Sequence, residues 1–301
     1  MKLDTHVHTL YSGPSTIAPL RRLMAESYNT PEGVYALAKA RGMDLVTITD
    51  HDRIDGALRI ADRPDVIVGC EVTGVFPGDG VRVHLGVLGL NDAQHREIER
   101  RRRDLSALMP YLRNEGLFVS LNHVASRING RITAAHVAAL LPWLDGIEVR
   151  NGSRLGQQNR TAALIAAARG KAPVAGSDAH TCRGVGLTWT EAPRATNRDE
   201  FLVELRAGRV VPGGRQGHVL TMASDVLRMT RHVYEQHGRA WLARPWHLRR
   251  QLLLAGLAIG APLVTVPLVL SALHFGLEIQ FNRELLHDLT RRPGLGVPEP
   301  A

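Results

Sequence analysis

The sequence predicts an α/β fold in which strands and helices alternate along the first two thirds of the chain. Short apolar runs rich in β-branched residues recur there, and amphipathic stretches with helix-end signals separate them. Repeated strand–helix units are typical of a largely parallel sheet or of a barrel. In both architectures ligands bind at the carboxyl ends of the strands, so functional residues are expected at those positions.

The run Leu45-Val46-Thr47-Ile48-Thr49 predicts a buried strand, because it is short and rich in β-branched side chains. Similar runs predict strands at 66–72, 81–90, 117–122, 146–149, 174–177 and 187–190. Caps and stops predict helices from Thr30 and Pro31 to Gly42, from Asn91 or Asp92 to near Gly116, from Ser153 to Gly170, and from Asn197 to Gly208.

The composition is that of an ordinary globular protein, since 44% of the 301 residues are hydrophobic and 22% are charged. The two cysteines, Cys70 and Cys182, form no CxxC pair, which excludes a disulfide scaffold and a cysteine zinc site and suits a reducing compartment. The formal net charge of +8 is spread along the chain, so there is no strong case for nucleic acid. The amino terminus lacks the apolar stretch of a secretory signal, and the chain has no glycine motif for dinucleotides or P-loop nucleotides.

The composition changes after the N-terminal domain, residues 1–215. Residues 216–250 predict a basic helical linker, and residues 252–273 then carry no charge. A helix of that length crosses a hydrocarbon core of about 30 Å, so 251–275 is predicted to be transmembrane; the alternative is a buried helical hairpin. More arginines precede the run than follow it, which predicts a location in the cytoplasmic membrane with the N-terminal domain facing the cytoplasm. Residues 276–301 are expected to form a short helix and a disordered tail.

Metal-binding residue types gather where the predicted strands end. His6 and His8 end the first strand, His51 follows the second, Glu71 ends the third, His84 lies in the fourth, His123 ends the fifth, and Asp178 and His180 follow the seventh. In a parallel barrel these ends meet at one rim, which would join six imidazoles and two carboxylates. Such ligands suit Zn²⁺, Mn²⁺ or Fe²⁺, and eight of them suit two or three ions with a bridging carboxylate. A centre of that kind activates water and clamps the oxygens of a displacement at phosphorus.

The motifs H-x-H-T at 6–9, T-D-H-D at 49–52, Asn122-His123 and G-S-D-A-H at 176–180, with Glu71 and His84 between them, resemble those of the PHP (polymerase and histidinol phosphatase) superfamily. The resemblance covers residues 1–215 and implies a distorted seven-stranded β/α barrel with a two- or three-metal phosphoesterase site. It implies the following ligands: His6, His8, Glu71 and Asp178 for the first ion, Glu71 as a bridge with His84 and His123 for the second, and His51 and His180 facing a third.

One turn departs from the family pattern. The family has an aspartate shortly after H-x-H-T as a ligand of the third ion, whereas the turn at residues 11–15 has no carboxylate. The third ion is then held weakly, bound through water, Ser12 or Ser15, or absent. If it is absent, His51 and His180 serve as proton donors or phosphate contacts.

The residues and the resemblance together predict a metal-dependent phosphoesterase acting on a small phosphomonoester such as a nucleoside monophosphate. Its candidate catalytic residues are His51, His180 and Glu71. Four loop residues are candidate phosphate contacts: Arg150, Asn151, Arg127 and Arg183. Asp50 and Asp52 are expected to orient imidazoles or to cap the following helix. The alternatives are an exonuclease or oligonucleotide phosphodiesterase, a histidinol-phosphate-type phosphatase, and a non-catalytic, metal-stabilised membrane adaptor.

Overall fold

The computed structural model describes residues 1–14, 25–221 and 265–298, together with isolated positions between 224 and 251. In these residues the chain forms a six-stranded sheet, a three-stranded sheet and helices that pack against them. The predicted α/β class is confirmed.

Each predicted strand corresponds to a strand of the structure, but the first, which was predicted to end at His6 and His8, ends at Leu3. The described strands are β1 (Lys2–Leu3), β2 (Val46–Ile48), β3 (Val66–Val75), β4 (Arg82–Leu88), β5 (Phe118–Leu121), β6 (Gly146–Asn151), β7 (Ala172–Gly176), β8 (Thr188–Glu191) and β9 (Val211–Gly214). The helices with defined bounds are α1 (Pro31–Ala40), α2 (Asp55–Leu58), α3 (Asp92–Arg101), α4 (Leu105–Asn114), α5 (Ala134–Leu140), α6 (Gly156–Ala168), α7 (Arg198–Arg206) and α8 (Thr265–Arg291).

One strand of the large sheet runs against the others. The order is β2-β3-β4-β5-β6-β7, and β4 pairs antiparallel with both neighbours while the remaining pairs are parallel. The sheet is therefore largely parallel, as expected, and β4 is the exception, because residues 76–81 form a short turn that folds β4 directly back along β3. The first residues of β4 therefore lie at the edge where the parallel strands end, and His84 reaches the site from the beginning of its strand.

The large sheet curls into a half-barrel and does not form the seven-stranded barrel that the resemblance implied. β1, β8 and β9 form a separate antiparallel sheet. This small sheet joins the two ends of the large one, since Leu3 forms a parallel bridge to Leu45 and Ala175 N donates a 2.7 Å hydrogen bond to Thr190 Oγ1. The gap between β2 and β7 is thereby filled without one continuous ladder.

Polar caps start the helices where the sequence predicted. The side chains of Thr30, Asn91 and Asn197 each accept a hydrogen bond from a backbone amide of the first helical turn. The long helix predicted after Asn91 is instead two helices, α3 and α4. The reason is a second cap, because Asp104 accepts a hydrogen bond from Ser106 N and begins α4.

Two other predicted positions shift. Strand β3 continues to Val75, so Glu71 lies within the strand and not at its end as expected. Its ladder to β4 holds the Glu71 carboxylate in a wall of the sheet, opposite Gly86. The helix predicted to open at Ser153 begins at Gly156.

The C-terminal helix α8 is continuous over 27 residues and packs on α5 and α6. Phe281, Leu285 and Leu289 are buried in the main hydrophobic core, and so are Leu295 and Val297 beyond the helix. The short helix and disordered tail expected for 276–301 are therefore wrong as far as residue 298.

Most of the predicted transmembrane run lies outside the described residues, which resume at residue 265. Among the described residues, none of the helices combines the length and the apolar character that a membrane span requires. The linker predicted for 216–250 is described only in part. Its described residues include Leu227, Arg228 and Arg231, which border a cavity beside His180.

Candidate metal centre

The Glu71 carboxylate lies at the centre of a buried cluster of imidazoles. Glu71 has no exposed surface, and a nitrogen of each of five histidines lies within 3.5 Å of one of its oxygens. The distances are 3.2 Å to His6, 3.4 Å to His8, 3.0 Å to His51, 3.5 Å to His84 and 3.1 Å to His123. One carboxylate among five potential ligands is the arrangement expected of a carboxylate shared between ions.

Asp178 and His180 complete the predicted set of eight residues. Asp178 Oδ1 lies 3.7 Å from His6 Nε2, 3.5 Å from His8 Nε2 and 3.5 Å from His180 Nδ1. Four sets of three residues bring their ligand atoms within 4.8 Å of one another: His6–His8–Glu71, His6–His123–Asp178, His51–Glu71–His84 and His8–His51–His180. The structure thus brings all eight predicted residues into one cluster.

Close contacts between distant backbone segments place these side chains. Asp178 N donates to His6 O at 2.7 Å, and His8 N donates to Ala179 O at 3.1 Å. Position 176 requires glycine, because a Cβ atom there would lie 2.4 Å from His6 Cβ. His123 and Asp178 have φ angles of 29° and 52°, in the left-handed region that costs a side-chain-bearing residue about 1–3 kcal/mol. Packing around the cluster stabilises these two conformations.

Burial and charge act in opposite directions on the cluster. Burial would raise the pKa of Glu71, but the neighbouring imidazoles, His6 foremost, hold it well below its usual range. Burial would lower the pKa of His6, but three carboxylates, with Glu71 foremost, raise it well above its usual value. Burial also opposes protonation of His180, yet the hydrogen bond with Glu26 and the charge of Asp178 raise its pKa to about 9. The cluster therefore holds protons at nitrogens for which a metal ion would compete.

Glu148 in β6 is a site residue that the motifs missed. It is buried, and its Oε1 lies 2.8 Å from His6 Nδ1. Its Oε2 accepts hydrogen bonds from His123 N at 2.9 Å and from Asn151 Nδ2 at 2.8 Å. Because an ionised carboxylate only accepts, His6 Nδ1 carries a proton towards Glu148, and Nε2 faces the cluster. The sequence signal that could have identified Glu148 is its charge within the apolar run 146–149, since a buried carboxylate needs partners.

The side chains of Asn151, at the end of β6, and Arg154, in the loop between β6 and α6, reach the cluster. The Asn151 side chain donates to Glu148 Oε2 and, at 3.2 Å, to Asp178 Oδ2. Arg154 is 7% exposed and donates to the same Asp178 oxygen at 3.0 Å. Its Nε atom is buried and has no hydrogen-bond partner among the described residues. No motif marked Arg154, because its place follows from the path of the loop between β6 and α6.

The three candidate arginines make their described contacts elsewhere. Arg150 donates to the Gly214 carbonyl at 2.7 Å, and Arg183 donates to Ser224 Oγ. Arg127 is held by its backbone amide. Among the described contacts, none brings the guanidinium of Arg150, Arg127 or Arg183 to the cluster.

A family model described as PHP-associated matches residues 156–210. The structure of a two-domain protein from Bacteroides vulgatus that contains a predicted PHP-like metal-dependent phosphoesterase matches with a TM-score of 0.50 at 17% identity, over 71% of this chain and 65% of that one. PsfC from Pseudomonas syringae matches with a TM-score of 0.52 at 17% identity, over 78% of this chain and 98% of that one. The matching model covers part of the chain, and it supports the predicted resemblance to the PHP superfamily. At these identities the two structures show the PHP fold alone.

A curated relative is the uncharacterized protein MJ1587 from Methanocaldococcus jannaschii, which is 32% identical over 77 residues. The match covers 24% of this chain and 44% of that protein. The chain therefore spans less than half of this relative and 65% of the Bacteroides structure. The predicted resemblance to the PHP superfamily is confirmed by the matching model and fold.

The turn after H-x-H-T contains no carboxylate, but the carboxylate of a later residue, Glu26, lies near it. Its Oε1 lies 3.5 Å from His180 Nε2, on the side of the cluster formed by His8, His51 and His180. Glu26 N donates to Gly13 O at 2.9 Å, which places this residue beside the turn. Spacing from the H-x-H-T motif gave no signal for Glu26, because only the folded turn brings it back to the site.

Residues of the turn itself are occupied by other contacts. Ser12 Oγ donates to Asp50 Oδ1 at 2.7 Å and lies 3.1 Å from His8 Nδ1, and Ser15 is outside the described residues. Asp50 also accepts from Thr9 N and Thr9 Oγ1, each at 2.6 Å. Asp50 thus fixes the turn after H-x-H-T and contacts no imidazole directly in the described set. Its neighbour Asp52 accepts a 2.7 Å hydrogen bond from Thr73 N, so it also holds backbone.

The donor set of this cluster fits divalent metal ions. Imidazole nitrogens and carboxylate oxygens are ligands of Zn²⁺, Mn²⁺ and Fe²⁺, and the thiol of Cys70, the residue before Glu71, lies in the hydrophobic core. Glu71 Oε2 and His84 Nδ1 are buried without a hydrogen-bond partner in the described part of the chain. Because buried polar atoms normally have partners, a cation at this position would satisfy both atoms.

A cavity of about 730 Å³ opens beside the cluster, and His180 lines it. Val34, Leu37 and Leu227 give it apolar walls, and Arg228 adds positive charge. The rings of Tyr28 and His232 also line it; they stack with their centroids 4.9 Å apart. A volume of this order accommodates an organic molecule much larger than phosphate.

Proposed function

We propose that the protein is a metal-dependent phosphoesterase that hydrolyses a small phosphomonoester. The observation that carries this proposal is Glu71, a buried carboxylate with imidazole nitrogens of five histidines within 3.5 Å. A metal pair at such a site supplies Lewis acidity that activates water and neutralises charge developing at phosphorus. The remaining functions belong to side chains of the chain itself.

We assign the ligands to the sets that the resemblance implies. His6, His8, Glu71 and Asp178 would hold the first ion, and Glu71, His84 and His123 would hold the second. Glu148 supports both sets, since it fixes the tautomer of His6 and the backbone of His123. Glu148 therefore determines which nitrogen of His6 faces the ions.

Arg154 is the phosphate contact that the geometry favours. Its guanidinium is anchored on Asp178 and retains a buried Nε–H donor without a partner in the described residues. Arginine recognises phosphate through such directed N–H groups. Anchoring on a ligand carboxylate holds the fork in place beside the ions.

His180 lies between the cluster and the cavity, where the leaving group of a phosphomonoester would enter. With two ions bound, His180 keeps its proton, and the raised pKa suits it to protonate the leaving oxygen. With a third ion, His51, His180 and Glu26 are the ligands instead. The metal content of the loaded protein decides between the two roles.

The cavity favours an organic phosphomonoester over inorganic or very small substrates. Its volume suits a leaving group of nucleoside size, and the stacked rings of Tyr28 and His232 offer an aromatic surface. A nucleoside monophosphate is the substrate that best matches both features. An oligonucleotide substrate would instead give a steep dependence of binding on salt.

The test is phosphate release by the full chain with Mn²⁺ and, separately, Zn²⁺. The panel is a set of nucleoside monophosphates, histidinol phosphate and a 5′-phosphorylated oligonucleotide. We expect turnover of a nucleoside monophosphate that chelation abolishes and that varies little with salt. No turnover of any substrate by folded, metal-loaded protein would refute the proposal and favour the non-catalytic adaptor, whereas steep salt dependence would favour the nuclease.

A further inference from the structure

The C-terminal helix α8 inserts one buried carboxylate, Glu278, into the domain that carries the metal cluster. Glu278 is 2% exposed. Both of its oxygens lie 3.1 Å from Arg127 N, and Oε2 also accepts a 2.6 Å hydrogen bond from Gln158 Nε2. These partners lie 151 and 120 residues away along the chain. The helix therefore contacts the loop after His123 through a charged acceptor.

This loop leads directly to the ligands of the second ion. Arg127 begins the 3-10 turn Arg127–Asn129, and Asn129 at its end is fully buried. Asn129 Oδ1 accepts a 3.0 Å hydrogen bond from His84 N, and Asn129 Nδ2 donates to His123 O at 3.2 Å. One amide side chain thus holds the backbones of His84 and His123 relative to each other.

We propose that Glu278 is a positioning residue for the second metal ion, a role that rests on the function proposed above. The Glu278 carboxylate fixes the start of the turn, and the turn fixes Asn129. Asn129 then sets the distance between His84 and His123. Removing the carboxylate takes away the described acceptor of the part-buried Arg127 N and leaves Gln158 Nε2 with Ala125 O alone, so the turn must shift to recover a partner for Arg127 N. A shift of the turn moves both imidazoles away from a common ion.

The same helix offers a matched contact that does not lead to the cluster. Asp288 Oδ2 accepts a 2.7 Å hydrogen bond from Ala134 N at the start of α5. Both carboxylates lie on α8 and accept a hydrogen bond from a backbone amide of the N-terminal domain, so both contribute to docking of the helix. Only Glu278 acts on a segment that carries ligands, so the two variants separate positioning from stability.

The experiment compares Glu278→Ala and Asp288→Ala in the full chain. Mn²⁺ is titrated calorimetrically into each metal-free protein, and thermal unfolding is recorded in parallel. We expect Glu278→Ala to weaken the second binding step by about tenfold, the lower end of what loss of an indirect ligand contact produces. Asp288→Ala is expected to lower the unfolding temperature without changing that step.

Two further variants keep the proposal testable if Glu278→Ala does not fold. Glu278→Gln retains an acceptor for Arg127 N but turns an NH₂ group towards Gln158, and we expect a smaller loss of affinity. In the double variant of Glu278→Gln with Asn129→Ala the two losses should be less than additive, because both act through one turn. The proposal would be overturned if the losses of binding free energy in the double variant were additive. It would also be overturned if the affinity of the second binding step in Glu278→Ala were within twofold of that in Asp288→Ala.

The metal titration is independent of the phosphatase assay. If the unsubstituted protein binds two ions but releases no phosphate, the proposed function fails and the role of Glu278 can still be measured. If it releases phosphate and Glu278→Ala binds Mn²⁺ like the control, the role of Glu278 fails and the function stands.

Discussion

Replacing Glu148 by glutamine should weaken metal binding by about thirtyfold while the protein stays folded. The carboxylate lies 2.8 Å from His6 Nδ1 and accepts from His123 N at 2.9 Å and Asn151 Nδ2 at 2.8 Å. Oε2 takes two of these donors and Oε1 takes one. The glutamine side chain therefore loses least when its NH₂ group replaces Oε1, where it faces His6 Nδ1.

The magnitude follows from the tautomer of His6. A carboxylate keeps a proton on Nδ1, so Nε2, which lies 3.2 Å from Glu71, is the nitrogen whose proton a metal ion displaces and whose lone pair then binds the ion. An NH₂ donor requires Nδ1 to accept, and the proton then moves to Nε2. To bind metal through Nε2, His6 must give up the new hydrogen bond. It also lacks the hydrogen bond to a charged acceptor that Glu148 provides, and that hydrogen bond is worth about 2 kcal/mol. That corresponds to about thirtyfold in affinity, inside the range of about 10–100-fold for such supporting contacts.

The assay is calorimetric titration of metal-free full chain with Mn²⁺ at one pH and ionic strength. Glu204→Gln is the matched control. Glu204 lies on α7 and pairs with Arg209, so this substitution removes the same charge away from the cluster. Thermal unfolding of both variants tests whether the fold is kept. An affinity of Glu148→Gln within threefold of Glu204→Gln would refute the reasoning from the tautomer.

Four further outcomes follow. Glu71→Gln should abolish phosphate release with little change in far-ultraviolet circular dichroism, because the shared carboxylate is lost; an unchanged rate would remove it from the mechanism. Metal binding at pH 7.5 should release protons. The pKa of His6 is raised and that of His180 is about 9, so both imidazoles carry protons that metal ligation displaces. Equal calorimetric enthalpies of binding in two buffers of different ionisation enthalpy would contradict this. Arg154→Lys should raise KM for a phosphomonoester by about tenfold through loss of the directed fork, and steady-state kinetics with unchanged KM would exclude Arg154 as a phosphate contact. Gly176→Ala should lower the free energy of unfolding by about 1–3 kcal/mol, because the new Cβ would lie 2.4 Å from His6 Cβ; an unchanged denaturation midpoint would mean that the two segments are further apart.

The cavity and the C-terminal helix change the view of the chain beyond residue 215. Positions of the predicted basic linker line the cavity beside His180, and α8 packs on the core and reaches the His123 loop through Glu278. A run of apolar residues gives no information on what the neighbouring helix packs against. The buried Leu285 and Leu289 show that much of the segment after the run belongs to the core.

The sequence by itself determined the class of the fold, the order of the strands along the chain and the eight residues of the cluster. These features are local: β-branched runs, helix caps such as Asn91, and imidazoles that directly follow strands such as His51 and His123. Because strands of an α/β sheet end at a shared edge, residues at those ends meet even when they are far apart in sequence. The proposed functional class follows from that argument and from the resemblance.

Only the tertiary structure decided how the cluster is held. The direction of β4 depends on its pairing with β3 and β5, and apolar periodicity is the same for a strand of either direction. Glu148 lies 142 residues from His6, and Glu278 lies 151 residues from Arg127, so neither pairing leaves a local pattern. Residue types determine which groups must be buried or paired, whereas the packing of distant segments determines which partner each buried group finds.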